Sequence, residues 1–239
     1  MISFIIPTKN EEKIIEKTLK CLSGYSGPHE IILGDGNSTD NTISIAKKYT
    51  NLIASHQGTN RPTIASGRND GASLAHGEYL LFLDADMFIY DIDSFFEKAL
   101  ACFTKDPDMV AMTVRLQLFP EMATRADNAV FGFMNFLHRV YNNYLHTGAS
   151  PGEFQMIRTE AFKKVGGFNP TLVAGEDYDM FRRLRKIGRT YFNNHLTAFH
   201  TGRRAHVVGW PKLLTQWFMN NISATFFKKA ASDEWKEIR

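Results

Sequence analysis

Two acidic pairs stand out among the residues that could do chemistry. Asp84 and Asp86 end the run LLFLDADM, where an apolar stretch fit for a sheet interior finishes in two like charges. Two carboxylates at i and i+2, here flanking Ala85, can hold one hard divalent cation with room for waters and phosphate oxygens. Mg2+ and Mn2+ favour such oxygen ligands and usually share them with a phosphate-bearing substrate. Glu176 and Asp177 form the second pair, in GGFNPTLVAGEDYDMFRRLRKIG, ahead of a helical pattern of Met180, Phe181, Leu184 and Ile187 that stops at Gly188. The plainest reading of that pair is that it complements the positive helix end, worth about 0.3–1 kcal/mol per charge. Downstream, FHTGRR offers His200, Arg203 and Arg204, and arginines can grip a diphosphate bidentately.

These groups need a scaffold, and the first hundred or so residues read as a parallel α/β sheet, with short apolar runs alternating with helical patterns. ISFIIP is the first strand, and Thr8 with Glu11 fits a T-x-x-E capping box before a helix that buries Ile14, Ile15, Leu19 and Leu22. EIIL is the second strand, and GDGNSTDNT turns into a helix near Thr42. RPTIASGRNDGASLAHG reads as a third helix, with Pro62 near its start and Gly77 as its stop. EYLLFL follows as the third strand, apolar enough to be buried on both faces.

Each strand delivers polar groups to its C-terminal end: Thr8 and Asn10, then Asp35 and Asn37, then Asp84 and Asp86. In an open parallel sheet that rim is where ligands bind. Helix capping alone would explain Thr8, Ser38 or Thr39, because strand-to-helix turns are rich in such residues. It explains Asp84 and Asp86 less well, since neither has an evident helix to cap. The first turn, PTKNEE, has no glycine and so is no dinucleotide fingerprint, and no phosphate-binding G-x-x-x-x-G-K-[ST] loop occurs. A bound nucleotide would need its charge neutralised by other means.

Bulk properties set the limits. The chain has 239 residues, 44% hydrophobic and 22% charged, enough for a sizeable core. Its net charge of +3 gives no case for a nucleic-acid partner. Cys21 and Cys102 are the only cysteines, and each falls in a helical segment, which suggests buried free thiols in a reducing compartment. The opening MISFIIPTKN is too short in its apolar part for a secretory signal and has no basic leader. No stretch approaches the roughly 20 apolar residues that span a bilayer. The expected location is the cytoplasm, or the cytoplasmic face of a membrane as a peripheral protein.

Five segments together resemble family 2 glycosyltransferases of the GT-A fold: SFIIPTKNEEKIIEKTLKCL, EIILGDGNSTDNT, ASGRNDGASLAHGEYLLFLDADM, FQMIRTEAFKKVGGFNPTLVAGEDYDMFRRLRKIG and HTGRR. The resemblance implies an α/β chain with a mostly parallel, Rossmann-like central sheet flanked by helices. It implies one domain over residues 1–205, with a nucleotide-binding half to about 100 and an acceptor half beyond, then an amphipathic helical segment over 206–239. It also implies a UDP- or GDP-sugar donor, a Mn2+ or Mg2+ cofactor and a saccharide or lipid-linked acceptor. Carried over residue by residue, Pro7, Thr8 and Glu11 would line the nucleotide pocket and Asp35 would meet base or ribose. Arg68 and Asn69 would sit near the nucleotide, with Arg203 and Arg204 at the diphosphate. Asp84, beside Ala85, would contact ribose or metal; Asp86 would be the metal ligand, and His200 would complete the shell or simply pack on its strand. Asp177 would be the base that takes the acceptor's proton, with Glu176 as its alternative or as an acceptor partner. One departure stands at Gly36, where many relatives carry a second acid, which leaves the choice of UDP or GDP open.

Two aromatic segments fit either core helices or an interfacial surface. DNAVFGFMNFLHRVYNNYL places Val130, Met134, Leu137, Tyr141 and Tyr144 or Leu145 at helical spacing. GWPKLLTQWFMNNISATFFKK does the same with Trp210, Leu213, Leu214, Trp217, Phe218, Ile222 and Phe226. Packing on the sheet is the bland reading; contact with a membrane carrying a lipid-linked acceptor is the sharper one. Two other classes compete with a transferase. A nucleotidyltransferase would normally show a glycine-rich loop after the first strand, which PTKNEEK lacks. A non-catalytic nucleotide-sugar-binding module would fit better if either acidic pair were degraded, and both are intact.

Overall fold

Alternating side chains along the central strands explain why helices cover both sheet faces. Strand β1 (Ile2–Thr8) sends Phe4 and Ile6 to one face and Ile5 to the other, and all three are fully buried. In the computed structural model, which describes residues 1–57 and 62–227, β1 leads to α1 (Ile15–Ser23), β2 (His29–Asp35), α2 (Thr42–Ala46) and β3 (Leu52–Ser55). Next come α3 (Ile64–Ser73), β4 (Tyr79–Leu83), α4 (Ile92–Lys105), β5 (Met109–Leu118) and α5 (Arg125–Arg139), which continues into a π-helical turn, Val140–Tyr144. The chain then forms β6 (Phe154–Arg158), α6 (Thr159–Lys164), α7 (Glu176–Arg185), β7 (Arg189–His200), α8 (Arg203–Val208) and α9 (Trp210–Phe227).

Among the described residues, the strands form one seven-stranded sheet in the order β3-β2-β1-β4-β6-β5-β7. All neighbours are parallel except that β6 runs antiparallel to both β4 and β5. Leu19, Leu22, Phe95, Phe96 and Phe103 from α1 and α4 pack on one face, and Ala65, Phe162, Met180, Phe181 and Leu184 from α3, α6 and α7 pack on the other. The fold is therefore α/β with a mostly parallel, doubly covered sheet, as the sequence implies.

Helix α3 lies unusually close to the sheet because glycine faces glycine. A methyl group at Gly34 would overlap the carbonyl of Gly67, and one at Gly71 would come 2.7 Å from Ile5 Cγ2. The close approach brings the next residue, Arg68, beneath the strand ends.

Several local expectations need correction. Residues 52–55 form a fourth early strand, β3, whose three half-buried residues and exposed Ser55 at the sheet edge give too short an apolar run to read in advance. Thr8 and Glu11 form no capping box, because α1 starts only at Ile15 and Thr8 is the last residue of β1. Capping boxes occur instead at Thr63 with Ser66 and at Thr124 with Asp127. Helix α3 ends at Ser73, and Gly77 is not its stop: a methyl there would come 2.6 Å from Ser3 Oγ, so its smallness admits β1 beside the entry to β4. Cys21 and Cys102 are free but only half-buried.

The apolar stripe of α5 and its π-helical turn, Val130, Met134, Leu137 and Tyr141, is half-buried and lies one residue away from the most buried positions. Phe131, Asn135 and His138 point inward, whereas Phe133, Phe136, Tyr144 and Leu145 are exposed. Asn135 replaces sheet hydrogen bonds, accepting from Leu116 N at 3.1 Å and donating to Leu116 O at 2.9 Å, and so belongs inside. In α9, Leu213 is buried and Leu214 is exposed; the side chains of Phe218, Ile222 and Phe226, and residues 228–239, lie outside the described residues.

The glycine contact predicts that Gly34→Ala is destabilising by at least the ~1–3 kcal/mol typical of overpacking, since rigid backbone rather than a mobile side chain must yield. Urea unfolding measures it, with Gly132→Ala as the control, because a methyl group added at Gly132 meets nothing within 4 Å.

Candidate active-site crevice

The C-terminal ends of β1, β2 and β4, the N-terminal end of β6 and the first turns of α7 and α8 surround one crevice of about 500 Å³. Pro7, Thr8, Glu11, Arg68, Asp84, Ala85, Asp86, Glu176, Asp177, His200, Arg203 and Arg204 all line it. Residues up to 197 positions apart in the chain thus meet in one space, as expected of a functional site rather than of independent caps.

Arg68 organises the floor. Its guanidinium, 2% exposed, donates from Nη1 to Glu176 Oε1 at 2.8 Å and from Nη2 to the carbonyl of Gly152 at 2.8 Å, with Asp84 Oδ1 at 3.5 Å. Phe168 lies under it, 5.2 Å from ring centroid to guanidinium carbon. Its charge is thus bound up with protein carboxylates and holds α7 to β4 and β6.

The first acidic pair sits where like charges and lost water act together. Asp84 lies with 39% of its side chain open to the crevice; desolvation raises its carboxyl, Arg68 opposes the rise and Asp86 adds to it. The exposed third of that side chain leaves room for solvent screening, which tempers the effect. Asp86 is nearly buried: Thr201 Oγ1 donates to its Oδ2, and Arg203 Nε stands 3.6 Å from the same oxygen. Arg203 also forks onto Glu11, donating from Nη1 and Nη2 at 2.7 and 2.8 Å, and so links α8 to the loop after β1. Ala85 turns inward, and its carbonyl accepts from Thr18 Oγ1 at 2.7 Å.

At the α7 end, Asp177 has its carboxyl pushed up to about 7, first by burial and next by the neighbouring Glu176 charge, with Arg68 pulling the other way. Burial also raises Glu176 against the pull of Arg68. A carboxyl poised near neutrality can accept a proton and release it. Among the described residues, three side-chain atoms of crevice residues are buried without a hydrogen-bond partner: Thr8 Oγ1, Arg68 Nε and His200 Nε2. His200 otherwise packs edge-on against Phe131, and its Nδ1 accepts from Gly202 N at 3.3 Å.

Two sequence-derived candidates are not brought to the crevice. Asp35 is buried in its own turn, where its carboxylate accepts from Ser38 Oγ at 2.6 Å and Ser38 N at 3.1 Å. Asn69 faces the opposite side of α3 and clamps Phe168, donating to its carbonyl at 2.8 Å and accepting from its N–H at 2.9 Å. Its amide thus positions the Gly166–Phe168 loop that leads to α7. Gly34 and Gly36, rather than Asp35, form the crevice wall at β2.

Other lining residues escaped sequence reasoning. Glu153 enters at the start of β6, its carboxyl pushed up to about 8 by burial and then by Asp84, Asp177 and Asp86. An acid just before an apolar strand was the available signal. The far end of the crevice is apolar, walled by Leu116, Phe131, Met134, Trp210, Leu213 and Trp217. Asp127 fixes that wall: it accepts from Trp210 Nε1 at 2.7 Å and Thr124 N at 2.8 Å, and contacts His206 Nε2 at 3.0 Å. Burial opposes its ionisation, but these bonds outweigh it and hold the carboxyl well below the usual range. The buried His138, 2.8 Å from Tyr178 Oη, is pushed down to about 4 by loss of water.

That histidine generates a signed prediction. Its native value lies below the unfolded value of 6.5, so the unfolded chain binds the proton first and stability falls as pH drops from 6.5 towards 4. Between pH 7 and 5 the wild type should lose ~2 kcal/mol more than His138→Gln, read as the difference between their urea-unfolding free energies.

The profile described as glycosyl transferase family 2 matches residues 3–166. A poly(ribitol-phosphate) beta-glucosyltransferase from Bacillus spizizenii is 37% identical over 95 residues, covering 37% of this chain and 15% of that protein. The succinoglycan biosynthesis protein ExoA from Rhizobium meliloti is 28% identical over 214 residues, covering 85% of this chain and 64% of its own. The chain therefore spans less than two thirds of the length of either relative. Among solved structures, a mannosyltransferase from Pyrobaculum calidifontis in complex with GDP-Man and Mn2+ superposes with a TM-score of 0.73 at 19% identity, covering 95% of this chain and 64% of that one. That likeness shows a shared GT-A fold.

Proposed function

Because the chain belongs to glycosyl transferase family 2, we propose that it is an inverting, cation-dependent transferase. It moves a sugar from a UDP- or GDP-sugar to a saccharide or lipid-linked acceptor. One observation carries the reading: a single crevice holds both a carboxylate pair at a strand end and a second carboxyl, Asp177, poised at about 7.

Inversion needs a base on the acceptor side as the acceptor oxygen attacks the anomeric carbon. Asp177 takes that proton, and Glu176, fixed by Arg68, keeps the first turn of α7 in place while raising Asp177. Thr8, with its unpartnered hydroxyl, and the glycine wall at β2 receive the nucleoside. Arg203 and Arg204 stand over the diphosphate position and offset its charge.

The residues present fit a divalent cation of a particular kind. Asp84 and Asp86 offer hard oxygen ligands, and the orphaned His200 Nε2 lies in the same crevice. Among the described residues no three such side chains converge as a ready-made cage. That donor set suits Mn2+ or Mg2+ held jointly with a diphosphate rather than by protein alone. When bound, the cation stabilises the charge developing on the leaving diphosphate.

The apolar end of the crevice supports an acceptor with a carbon-rich or ring-shaped portion, since Trp210 and Trp217 offer flat faces there. The exposed side of α5 extends that character outward. Phe133, Phe136 and Tyr144 are 60%, 59% and 63% exposed, Arg125 and Arg139 flank them, and the one acid in residues 122–152, Asp127, is buried. An apolar face rimmed by cations suits an anionic membrane surface, and no helix of the described residues is long and apolar enough to cross one. The protein would then work from the cytoplasmic face as a peripheral protein.

Paired variants separate the two acidic sites. Asp177→Asn should lower kcat by roughly 10²–10⁴ while calorimetric affinity for the donor with Mn2+ stays within twofold. Asp86→Ala should lose Mn2+-dependent donor binding itself. Full turnover in the first, or unchanged binding in the second, removes the corresponding role. A protein that binds donors but never turns them over, with any acceptor or with water, would be a binding module instead. For the membrane contact, flotation with phosphatidylglycerol vesicles should carry the wild type upward and leave Phe133→Ser/Phe136→Ser behind; no flotation of the wild type rejects it.

A further inference from the structure

One crevice side chain has no role in the chemistry above and no structural duty. Glu153 precedes β6, which pairs antiparallel with β4 in the register Leu83 to Phe154, so that Glu153 arrives beside Asp84. Asp84 N donates to its carbonyl at 3.4 Å. Its carboxylate accepts only from its own backbone N–H; among the described residues no other donor or ion-pair partner reaches it. It caps no helix, since a strand follows. It adds no third ligand to the cation pair, since no group of three acids or imidazoles converges among the described residues.

Its position is informative. Asp84 and Asp86, which mark the diphosphate end, and Asp177, at the acceptor end, all line the same crevice and lie near enough to act on its carboxyl. The preceding residue lies close to both Asp177 and Arg68, because a methyl group on Gly152 would come 3.4 Å from Asp177 Oδ2 and 2.9 Å from Arg68 Nη2. A sugar in transfer must occupy the interval between those ends, with its anomeric carbon joined to phosphate on one side and open to the acceptor oxygen on the other.

We infer that Glu153 selects the sugar being transferred, its carboxyl group hydrogen-bonding with hydroxyl groups on the hexose ring of the donor. A carboxyl group has two oxygens, both accepting when ionised and one able to donate when protonated, so two adjacent ring hydroxyls satisfy it in either form with a geometry that an epimer cannot match. Sites built to hydrogen-bond a hydroxyl reject analogues that lack or misplace it far more strongly than apolar pockets reject a missing methylene. The inference rests on the nucleotide-sugar reading of the crevice.

Calorimetry on the full chain with Mn2+ tests it, using UDP, GDP, UDP-glucose, UDP-galactose, UDP-N-acetylglucosamine and GDP-mannose against wild type, Glu153→Gln and Glu153→Ala. The expected wild-type result is one sugar nucleotide bound more tightly than its bare nucleotide and than its hydroxyl epimer. Glu153→Ala should erase that preference, by roughly tenfold or more, with bare-nucleotide affinity changed less than twofold. Glu153→Gln, which keeps one accepting oxygen, should retain part of it. Both should melt no lower than wild type, because Glu153 supports no other side chain and burial disfavours its charge. Sugar preference unchanged in both variants overturns the inference, as does an equal loss for the bare nucleotide, which would make Glu153 part of the diphosphate end. Transfer abolished with donor preference intact also overturns it, in favour of a proton-transfer role. A wild type that binds the bare nucleotides but gains nothing from any sugar refutes this assignment alone. One that binds no nucleotide at all refutes the donor reading beneath it.

Discussion

A buried cation among acids governs this molecule. Arg68 reaches Glu176, Gly152 and Asp84 from a single guanidinium, and these partners belong to a helix, a strand entry and a strand end that are far apart in sequence. Breaking a buried charged pair of this sort typically costs ~3–5 kcal/mol, because the surviving charge has no water to turn to. The same cation limits how far the crevice acids can repel one another. Without it, Glu176, Asp177, Asp84 and Glu153 would all face desolvation with no positive charge on the floor.

Arg68 can reach so far only because of what lies beside it. Gly67 on α3 lies against Gly34 on β2, where neither residue has a side chain to hold the backbones apart. Asn69, on the other side of Arg68, holds Phe168 through both amide groups, and Phe168 in turn lies under the guanidinium. Three consecutive residues thus approach the sheet, deliver the charge and fix the loop that carries the partner acids. Arg203 performs a parallel task at the opposite rim, where its fork onto Glu11 and its proximity to Asp86 draw α8 over the ends of β1 and β4.

What could be read from the sequence was whatever has a local signature. The apolar runs of β1, β2 and β4, the Asp84–Asp86 pair and the acids at the start of α7 each announce themselves within a few residues, and the structure gathers those acids at one crevice. What stayed hidden depends on partners far along the chain. Asn69 looked like a ligand until its partner, 99 residues away, was placed beside it. Asp35 was expected to meet base or ribose at a strand end, yet its carboxylate accepts from Ser38 within its own turn. In α5 and its π-helical turn, the apolar stripe of Val130, Met134, Leu137 and Tyr141 is half-buried and lies one residue from the most buried positions, because Asn135 and His138 go inside to serve Leu116 and Tyr178. The edge strand β3 was too short to declare itself.

The reversal of β6 has a further consequence, for how the crevice can diversify. Every parallel strand reaches the rim with its outgoing end, so lengthening the loop that follows can alter the site. Strand β6 reaches it with its incoming end, and the segment leading in is tethered, since Asn142 Nδ2 donates to Ala149 O at 2.6 Å and Asn142 Oδ1 accepts from Ala149 N at 3.2 Å. Insertions between Asn142 and Ala149 would therefore bulge outward around that clamp and leave residues 150–154 in place. The acceptor mouth can change shape by indels while the interval between the two acidic ends keeps its dimensions, so that one region is free to vary and its neighbour is geometrically protected.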